Sequence, residues 1–346
     1  MPSRPARHSS RPRAAVDRLS DRIWDRIWDG LWDRLPVRRF GRLLRWLPGA
    51  WALAAALGAA LGAVLGAAAP ASACPGSERF CTVEGGRYLL LLPEGVEATG
   101  TGATGTGARL PAMMYLHGWG ASPQGVVNGR RQLVDGLAAR GYALILPQGV
   151  ARAGRTQRDW AVRDGRPHPR DDLRFLDAIL ADAATRGVDR RRVVLAGFSR
   201  GGSMVWDVAC ARPDMVRAYA PVAGAFWEPM PQRCAGPVDL FHTHGWGDRV
   251  VPLEGRPIGS AMMQGDAFAS LDLMRHGQGC TASQPDAAAA GADLRWRRSW
   301  TSCRAGRLDL TLHPGGHVVP DDWLQSALTW FEARLADAAE PPTAGN

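Results

Sequence analysis

Ser199 stands in the run Gly197-Phe198-Ser199-Arg200-Gly201-Gly202, after Arg192-Val193-Val194-Leu195-Ala196 and before Ser203-Met204-Val205-Trp206-Asp207-Val208-Ala209. A β-branched strand that turns sharply through glycines into a helix presents the serine hydroxyl at the strand's carboxyl tip, and only small flanking residues leave room for that turn. The chemistry this arrangement suits is nucleophilic attack on a carbonyl carbon. A serine hydroxyl is a weak nucleophile at neutral pH, so a histidine must take its proton and a carboxylate must hold that histidine in the right tautomer.

In sites of this kind the acid and then the histidine follow the serine along the chain. His242, His244, His276, His313 and His317 all lie downstream of Ser199. His242 and His244 alternate within Val238-Asp239-Leu240-Phe241-His242-Thr243-His244-Gly245, which reads as a strand, so they are expected to be packed or hydrogen-bonded core histidines. His276 lies near the end of a helical stretch, where a cation suits the helix C-terminus, and His313 ends the strand Leu308-Asp309-Leu310-Thr311-Leu312. His317 differs, because it sits in the loop Pro314-Gly315-Gly316-His317-Val318-Val319-Pro320 between the last strand and the last helix. Its glycines let an imidazole reach across the sheet top, and His317 is taken as the base.

The acid belongs on a loop between the two. Asp248 fits, since Gly245-Trp246-Gly247-Asp248-Arg249-Val250-Val251-Pro252 follows the strand ending near His244 and is rich in turn formers; Glu254 and Asp266 are the substitutes. Asp171 and Asp172 precede the serine and read instead as an N-cap and a first-turn acid. An oxyanion needs donors, and two backbone amides are in place. One is that of Arg200, directly after the nucleophile. The other is that of Trp119, in the His117-Gly118-Trp119-Gly120 turn after the strand Pro111-Ala112-Met113-Met114-Tyr115-Leu116. The Trp119 indole equally suits a wall of the acyl pocket.

Ordered motifs carry a resemblance that covers roughly residues 87–338. They are His117-Gly118-Trp119-Gly120, Asp171-Asp172-Leu173-Arg174-Phe175-Leu176, the Ser199 elbow, Pro221-Val222-Ala223-Gly224-Ala225-Phe226-Trp227, His244-Gly245-Trp246-Gly247-Asp248 and His313-Pro314-Gly315-Gly316-His317. Together they resemble the secreted esterases related to polyhydroxybutyrate depolymerases, which include feruloyl and acetylxylan esterases. The resemblance implies an α/β-hydrolase fold and a triad of Ser199, Asp248 and His317, the assignment also reached from chain order.

The coarse pattern that must position these residues alternates strands and helices. Strands are expected near residues 88–93, 111–117, 142–148, 191–198, 217–224, 237–244 and 308–313, and helices near 125–140, 171–187, 201–212, 265–277 and 321–338. Continuous apolar strands separated by amphipathic helices predict an α/β domain with a mostly parallel, doubly wound sheet flanked by helices. Residues 74–346 are long enough for one such catalytic domain. The Thr/Gly segment 98–108 reads as a flexible surface connection, and the Ala/Gly tract 287–292 as another loop.

A formal charge of +9 invites a nucleic-acid reading, but residues 1–46 hold 12 Arg and 5 Asp, a net +7, leaving +2 for all the rest. The basic character belongs to the leader, and no basic helix, zinc finger or stacking motif accompanies it. Residues 1–45 form a basic extension. It includes Asp21-Arg22-Ile23-Trp24-Asp25-Arg26-Ile27-Trp28, which suits an amphipathic helix on the cytoplasmic surface or translated sequence upstream of the true start. From Trp46 to Ser77 there is no charge, and Ala71-Ser72-Ala73 precedes Cys74. Residues 46–73 therefore read as a secretory signal with cleavage after Ala73, the rival being an uncleaved membrane anchor. Contact with a membrane is expected through this leader alone, and the catalytic domain is expected to be secreted or periplasmic.

All six cysteines, Cys74, Cys81, Cys210, Cys234, Cys280 and Cys303, lie beyond the leader and fit an oxidising compartment. Sequence proximity and the family resemblance suggest the pairs Cys74 with Cys81, Cys210 with Cys234, and Cys280 with Cys303, against the alternative of buried free thiols. The expected activity is that of a serine esterase acting on a small ester, a polyester or a plant cell-wall ester, without a metal or organic cofactor. Trp160, Trp227 and Trp246 are candidates to stack on an aromatic acyl group or sugar, with packing as an equal alternative for each. A peptidase on the same fold and a non-catalytic binding protein are the other readings.

Overall fold

A computed structural model of the protein describes residues 74–95, 109–281, 284–291 and 293–339. The expected basic extension, the export signal and the Thr/Gly connection at 98–108 lie outside the described residues. The described residues begin with an antiparallel hairpin, β1 (Cys81–Val83) and β2 (Gly86–Leu91), and the chain enters the sheet interior with β3 (Leu110–Leu116). Two helices follow, α1 (Pro123–Gly129) and α2 (Arg131–Ala139), then β4 (Ala143–Pro147). A small ribbon of β5 (Val150–Ala151) and β6 (Arg158–Asp159) leads to α3 (Asp172–Thr185), β7 (Val188–Phe198), α4 (Arg200–Ala211), β8 (Ala218–Val222) and β9 (Asp239–Gly245). After a second ribbon, β10 (Arg256–Ile258) with β11 (Met262–Gln264), come α5 (Ala267–Gly277), β12 (Ala287–Ala290), β13 (Trp296–Trp300), β14 (Arg307–His313) and α6 (Trp323–Ala339).

The main sheet has the order β1-β2-β4-β3-β7-β8-β9-β14-β13-β12. Its six central strands, β4 to β14 in that order, are mutually parallel, and antiparallel strands close both edges. Central strands are buried on both faces, which is why β4, β8 and most of β3 read as unbroken apolar runs. Alternation then divides them: Leu90, Met114, Leu116 and Ile145 pack with Phe175 and Ile179 of α3, Met204 and Trp206 of α4, and Leu271 and Met274 of α5. Leu89, Met113, Tyr115 and Leu144 pack on the other face with Leu133 and Leu137 of α2 and Leu328 and Phe331 of α6. Neighbouring residues such as Met113 and Met114 serve opposite layers because strand side chains alternate in direction.

Polar residues set the helix starts. Ser122 Oγ, Asp171 and Asp266 each accept backbone N–H bonds from the first turn of α1, α3 and α5, satisfying donors that have no partner inside the helix. Two expectations are corrected. The helix expected over 125–140 is two, because the chain leaves helical geometry at Arg130 (φ −130°, ψ 58°), whose guanidinium lies 5.0 Å from the Phe198 ring centre. The Ala/Gly tract is not a loop: Ala287–Ala290 is an exposed edge strand paired antiparallel with β13, so no burial pattern marks its small residues and only backbone bonding makes it a strand.

Disulfides join Cys74 to Cys81, Cys210 to Cys234 and Cys280 to Cys303. Among the described residues no helix is long and apolar enough to cross a membrane.

Candidate active site

Ser199 follows β7 and precedes α4 with φ 57° and ψ −122°, a conformation L-residues rarely adopt. Close packing enforces it. The Ser199 amide donates to Val222 O (2.9 Å) and its carbonyl accepts from Ser203 N (2.9 Å), so both sides of the turn are tied. A Cβ on Gly197 would come within 2.6 Å of Gly201 O, and one on Gly201 within 2.6 Å of His117 O. Glycines flank the serine, then, because the helix start passes against the end of β3.

His317 comes over from the loop after β14. Its Nε2 lies 2.8 Å from Ser199 Oγ and its Nδ1 2.7 Å from Asp248 Oδ2, while its ring packs on Phe198 at 4.7 Å. An ionised carboxylate only accepts, so Nδ1 carries the hydrogen and Nε2 is left to accept from the serine hydroxyl. Asp248 Oδ1 takes the Val250 and Val251 amides, each at 2.8 Å. Burial opposes the charge on Asp248, but hydrogen bonds from His244, His317 and the Val251 amide outweigh it and hold the carboxyl well below its ordinary range. The two loops lock together: Trp246 N donates to His313 O and Gly247 N to Gly315 O, and a Cβ on Gly245 would collide with the carbonyls of Gly315 and Gly316. Of the substitutes, Asp266 is committed to capping α5.

All these groups sit at the carboxyl ends of parallel strands, and Ser199 borders a cavity of about 400 Å³ that Arg200, Trp119, Trp227, Val250 and Met262 also help to line. A cleft of about 510 Å³ lies at the opposite strand ends, beside Arg217, Asp239 and Arg307, away from Ser199.

The turn bearing the candidate oxyanion donor is held from beneath. His117 Nδ1 donates to Gly118 O (2.8 Å), its Nε2 accepts from Gly149 N (3.0 Å), and its carbonyl accepts from Trp160 Nε1 (2.8 Å). Burial keeps His117 neutral, pushed down to about 4. Trp119 itself is 60% exposed, and its amide has no backbone acceptor among the described residues. The Arg200 amide is the first of α4 and has no acceptor within the helix.

The three tryptophans part company. Trp160 is corrected: it is fully buried, its indole committed to His117, so no ligand can stack on it. Trp227 faces the cavity, its indole donating to Ser203 Oγ (3.1 Å). Trp246 is partly exposed on the acid loop and meets Trp296 edge to face at 5.0 Å.

Sequence reasoning missed the support beneath Arg200. Its guanidinium is buried over the Trp227 ring (4.4 Å) and pairs with Asp159 (2.7 Å) and Asp164, and the same two carboxylates pair with Arg152 at 2.7 and 2.9 Å. Two guanidinium groups and two carboxylates thus form a neutral, closed cluster under the elbow. No motif announces it, because Arg152, Asp159 and Asp164 come from the β5–β6 ribbon and the loop after it, whose course only the fold sets. Asp172 likewise is more than a first-turn acid: buried, it accepts from the Ala161 amide (2.6 Å) and Arg170 Nε (2.5 Å). His242 and His244 are wholly buried. Among the described residues no group of three or more His, Cys, Asp and Glu side chains is placed to hold a metal ion.

A mostly parallel sheet covered on both faces, with its cavity at the carboxyl ends of the strands, makes this an α/β-hydrolase. The chain belongs to the dienelactone hydrolase family, which matches residues 100–272, half of its 346 residues, and it is a carboxylic ester hydrolase. It is similar to a probable feruloyl esterase C of Aspergillus terreus, with 28% identity over 205 residues, 57% of this chain and 68% of the relative. Feruloyl esterase C of Emericella nidulans is 27% identical over 242 residues, 68% of this chain and 77% of the relative. The solved acetyl xylan esterase from Aspergillus awamori shares the fold, at a TM-score of 0.53 and 12% identity over 71% of this chain and 93% of that one.

Proposed function

We propose that the protein is a serine esterase in which Ser199, His317 and Asp248 act as a catalytic triad. The observation that carries this reading is the unbroken relay from Ser199 Oγ through His317 (2.8 Å) to Asp248 (2.7 Å), on an elbow facing a cavity. Ser199 Oγ attacks the ester carbonyl carbon as His317 Nε2 takes its proton, and Asp248 stabilises the imidazolium that results. The carbonyl oxygen, now an oxyanion, accepts from the Arg200 and Trp119 amides. His317 protonates the departing alcohol, then takes a proton from water, whose oxygen attacks the acyl-enzyme and frees the acid and Ser199.

The substrate class is a carboxylic ester of plant cell-wall type with an aromatic acyl group. The names of the relatives and a cavity wall of Trp227, Val250, Val251 and Met262 support it. Residues 46–73 are proposed as the export signal, releasing residues 74–346 as the catalytic domain outside the cytoplasm; three disulfides in that domain favour an oxidising compartment.

A fluorophosphonate probe together with a panel of p-nitrophenyl acyl esters, methyl ferulate and acetylated xylan tests the reading. Labelling and turnover are expected in the wild type, strongest on methyl ferulate, and both disappear in Ser199→Ala. Folded wild-type protein that takes no label and cleaves no ester overturns it.

A further inference from the structure

Behind Asp248 lies a row of ring nitrogens that the triad does not use. His242 Nδ1 is 3.2 Å from Pro221 O, His242 Nε2 is 3.1 Å from His244 Nδ1, and His244 Nε2 is 2.7 Å from Val251 O. Both histidines are fully buried on β9, so water cannot supply or accept a proton in place of these partners. A carbonyl oxygen only accepts, so the outer nitrogens, His242 Nδ1 and His244 Nε2, must each bear a hydrogen. The inner contact between the rings requires one more, since two bare nitrogens would face each other lone pair to lone pair. Three hydrogens on four nitrogens is one more than two neutral imidazoles hold.

The surroundings place the resulting charge. His244 Nε2 lies 3.5 Å from Asp248 Oδ2, the oxygen that also binds His317, whereas His242 faces the Trp206 ring edge to face at 5.2 Å and the Pro221 carbonyl. Burial holds His242 well below the ordinary imidazole range. From β14, His313 accepts the Gly315 amide at its Nδ1, and burial, followed by the charge of Arg295, keeps it below its ordinary value, so it offers no competing cation. Arg249, on the acid loop, points out to solvent.

We propose that the His242–His244 pair carries one proton beyond neutrality, that the charge resides on His244, and that this buried cation positions the Asp248 carboxylate toward His317. Its consequence for turnover rests on the triad reading above. His244 is a positioning residue: it touches Asp248, not the substrate. A cation beside Asp248 offsets part of the negative potential that Asp248 projects onto His317, so removing it makes His317 easier to protonate.

Long-range ¹⁵N–¹H correlation spectra of histidine-labelled wild-type protein at pH 7, assigned with His244→Gln, read the charge directly. Both ring nitrogens of His244 are expected to be protonated, and only Nδ1 of His242; a bare nitrogen on His244 overturns the proposal. In His244→Gln, whose amide can still donate to Val251 O, the acid limb of kcat/KM against pH is expected to move up by on the order of one pH unit. An active variant with an unmoved limb overturns the positioning role. The spectrum needs no turnover and no variant fold beyond its assignment. A wild type inactive on every ester therefore counts against the proposed reaction while the charge on His244 is still decided.

Discussion

The guanidinium of Arg200 binds the carboxylate of Asp159 at 2.7 Å, so the residue directly after Ser199 is anchored from the ribbon that follows β4. The same side chain closes a four-membered cluster with Arg152 and Asp164 and stacks over Trp227 in the cavity wall. The elbow, the cavity floor and the loop beneath them are therefore one electrostatic unit.

Breaking that unit on one side leaves a buried charge without its partner. Asp164→Ala is expected to lower stability by about 3–5 kcal/mol, because both guanidinium groups stay buried around the missing carboxylate. Replacing Arg152 and Asp164 together, by Met and Leu, is expected to recover most of the loss. Urea unfolding of the three proteins checks this; equal losses in the single and double variants would refute it.

At Asp248, substitution by Asn keeps an oxygen for the Val250 and Val251 amides and turns an NH₂ group toward His317 Nδ1. The imidazole must then hold its hydrogen on Nε2, facing Ser199, where it cannot accept the serine proton. A fall in kcat on the order of 10³- to 10⁴-fold is expected, together with a lowered melting temperature, because the carboxylate that its buried partners favour is lost. Steady-state kinetics alongside thermal denaturation measures both.

Trp119 separates backbone from side chain. Because the indole is 60% exposed and the proposed donor is the amide, Trp119→Ala is expected to act mainly on KM. Trp119→Pro removes the N–H and is expected to lower kcat by about 10²- to 10³-fold. Comparable kcat losses in the two variants would place the oxyanion donor elsewhere.

Asp207 is buried, with Oδ2 accepting the Arg163 amide at 2.8 Å and Oδ1 without a hydrogen-bond partner among the described residues. Burial pushes it up to about 7. The folded state therefore holds this proton more tightly than the unfolded chain, and stability is lost as pH rises from the ordinary carboxylate range to about 7, by at most about 1.4 kcal/mol per pH unit. Asp207→Asn is expected to gain on the wild type across that window and keep a constant advantage above it. Melting temperatures from pH 4 to 8 trace the difference.

His117 has the opposite sign. It is folded as a neutral imidazole pushed down to about 4 by burial, so the unfolded chain binds the extra proton first and stability falls as pH drops from about 6.5 toward 4. Protonated Nε2 can no longer accept the Gly149 amide, so the Trp119 turn loosens in the same window. His117→Gln is expected to flatten this part of the stability profile. A wild type and variant that run parallel from pH 7 to 4 would show that His117 does not set the slope.

Much of the site was legible because local chain chemistry demands it. A serine between glycines at a strand-to-helix turn, an acid loop after a strand and a glycine-rich histidine loop are each decided by residues close in sequence, and chain order supplied their sequence. For Trp160 the local sequence leaves stacking and packing open, and the bond to His117 O, 43 residues away, decides for packing. The edge strand at Ala287–Ala290 leaves no mark in the sequence because exposed alanines carry no burial pattern; only the β13 backbone makes it a strand.

The sequence alone determined the serine elbow, the acid and histidine loops and the layered fold that carries them, since hydrophobic period and turn chemistry are local properties of the chain. Tertiary structure alone decided the convergence of Ser199, His317 and Asp248, the ion cluster under Arg200 and the proton-rich histidine pair behind Asp248. Those depend on distances between segments that are far apart along the chain, and such distances exist only once the sheet has brought its strand ends together.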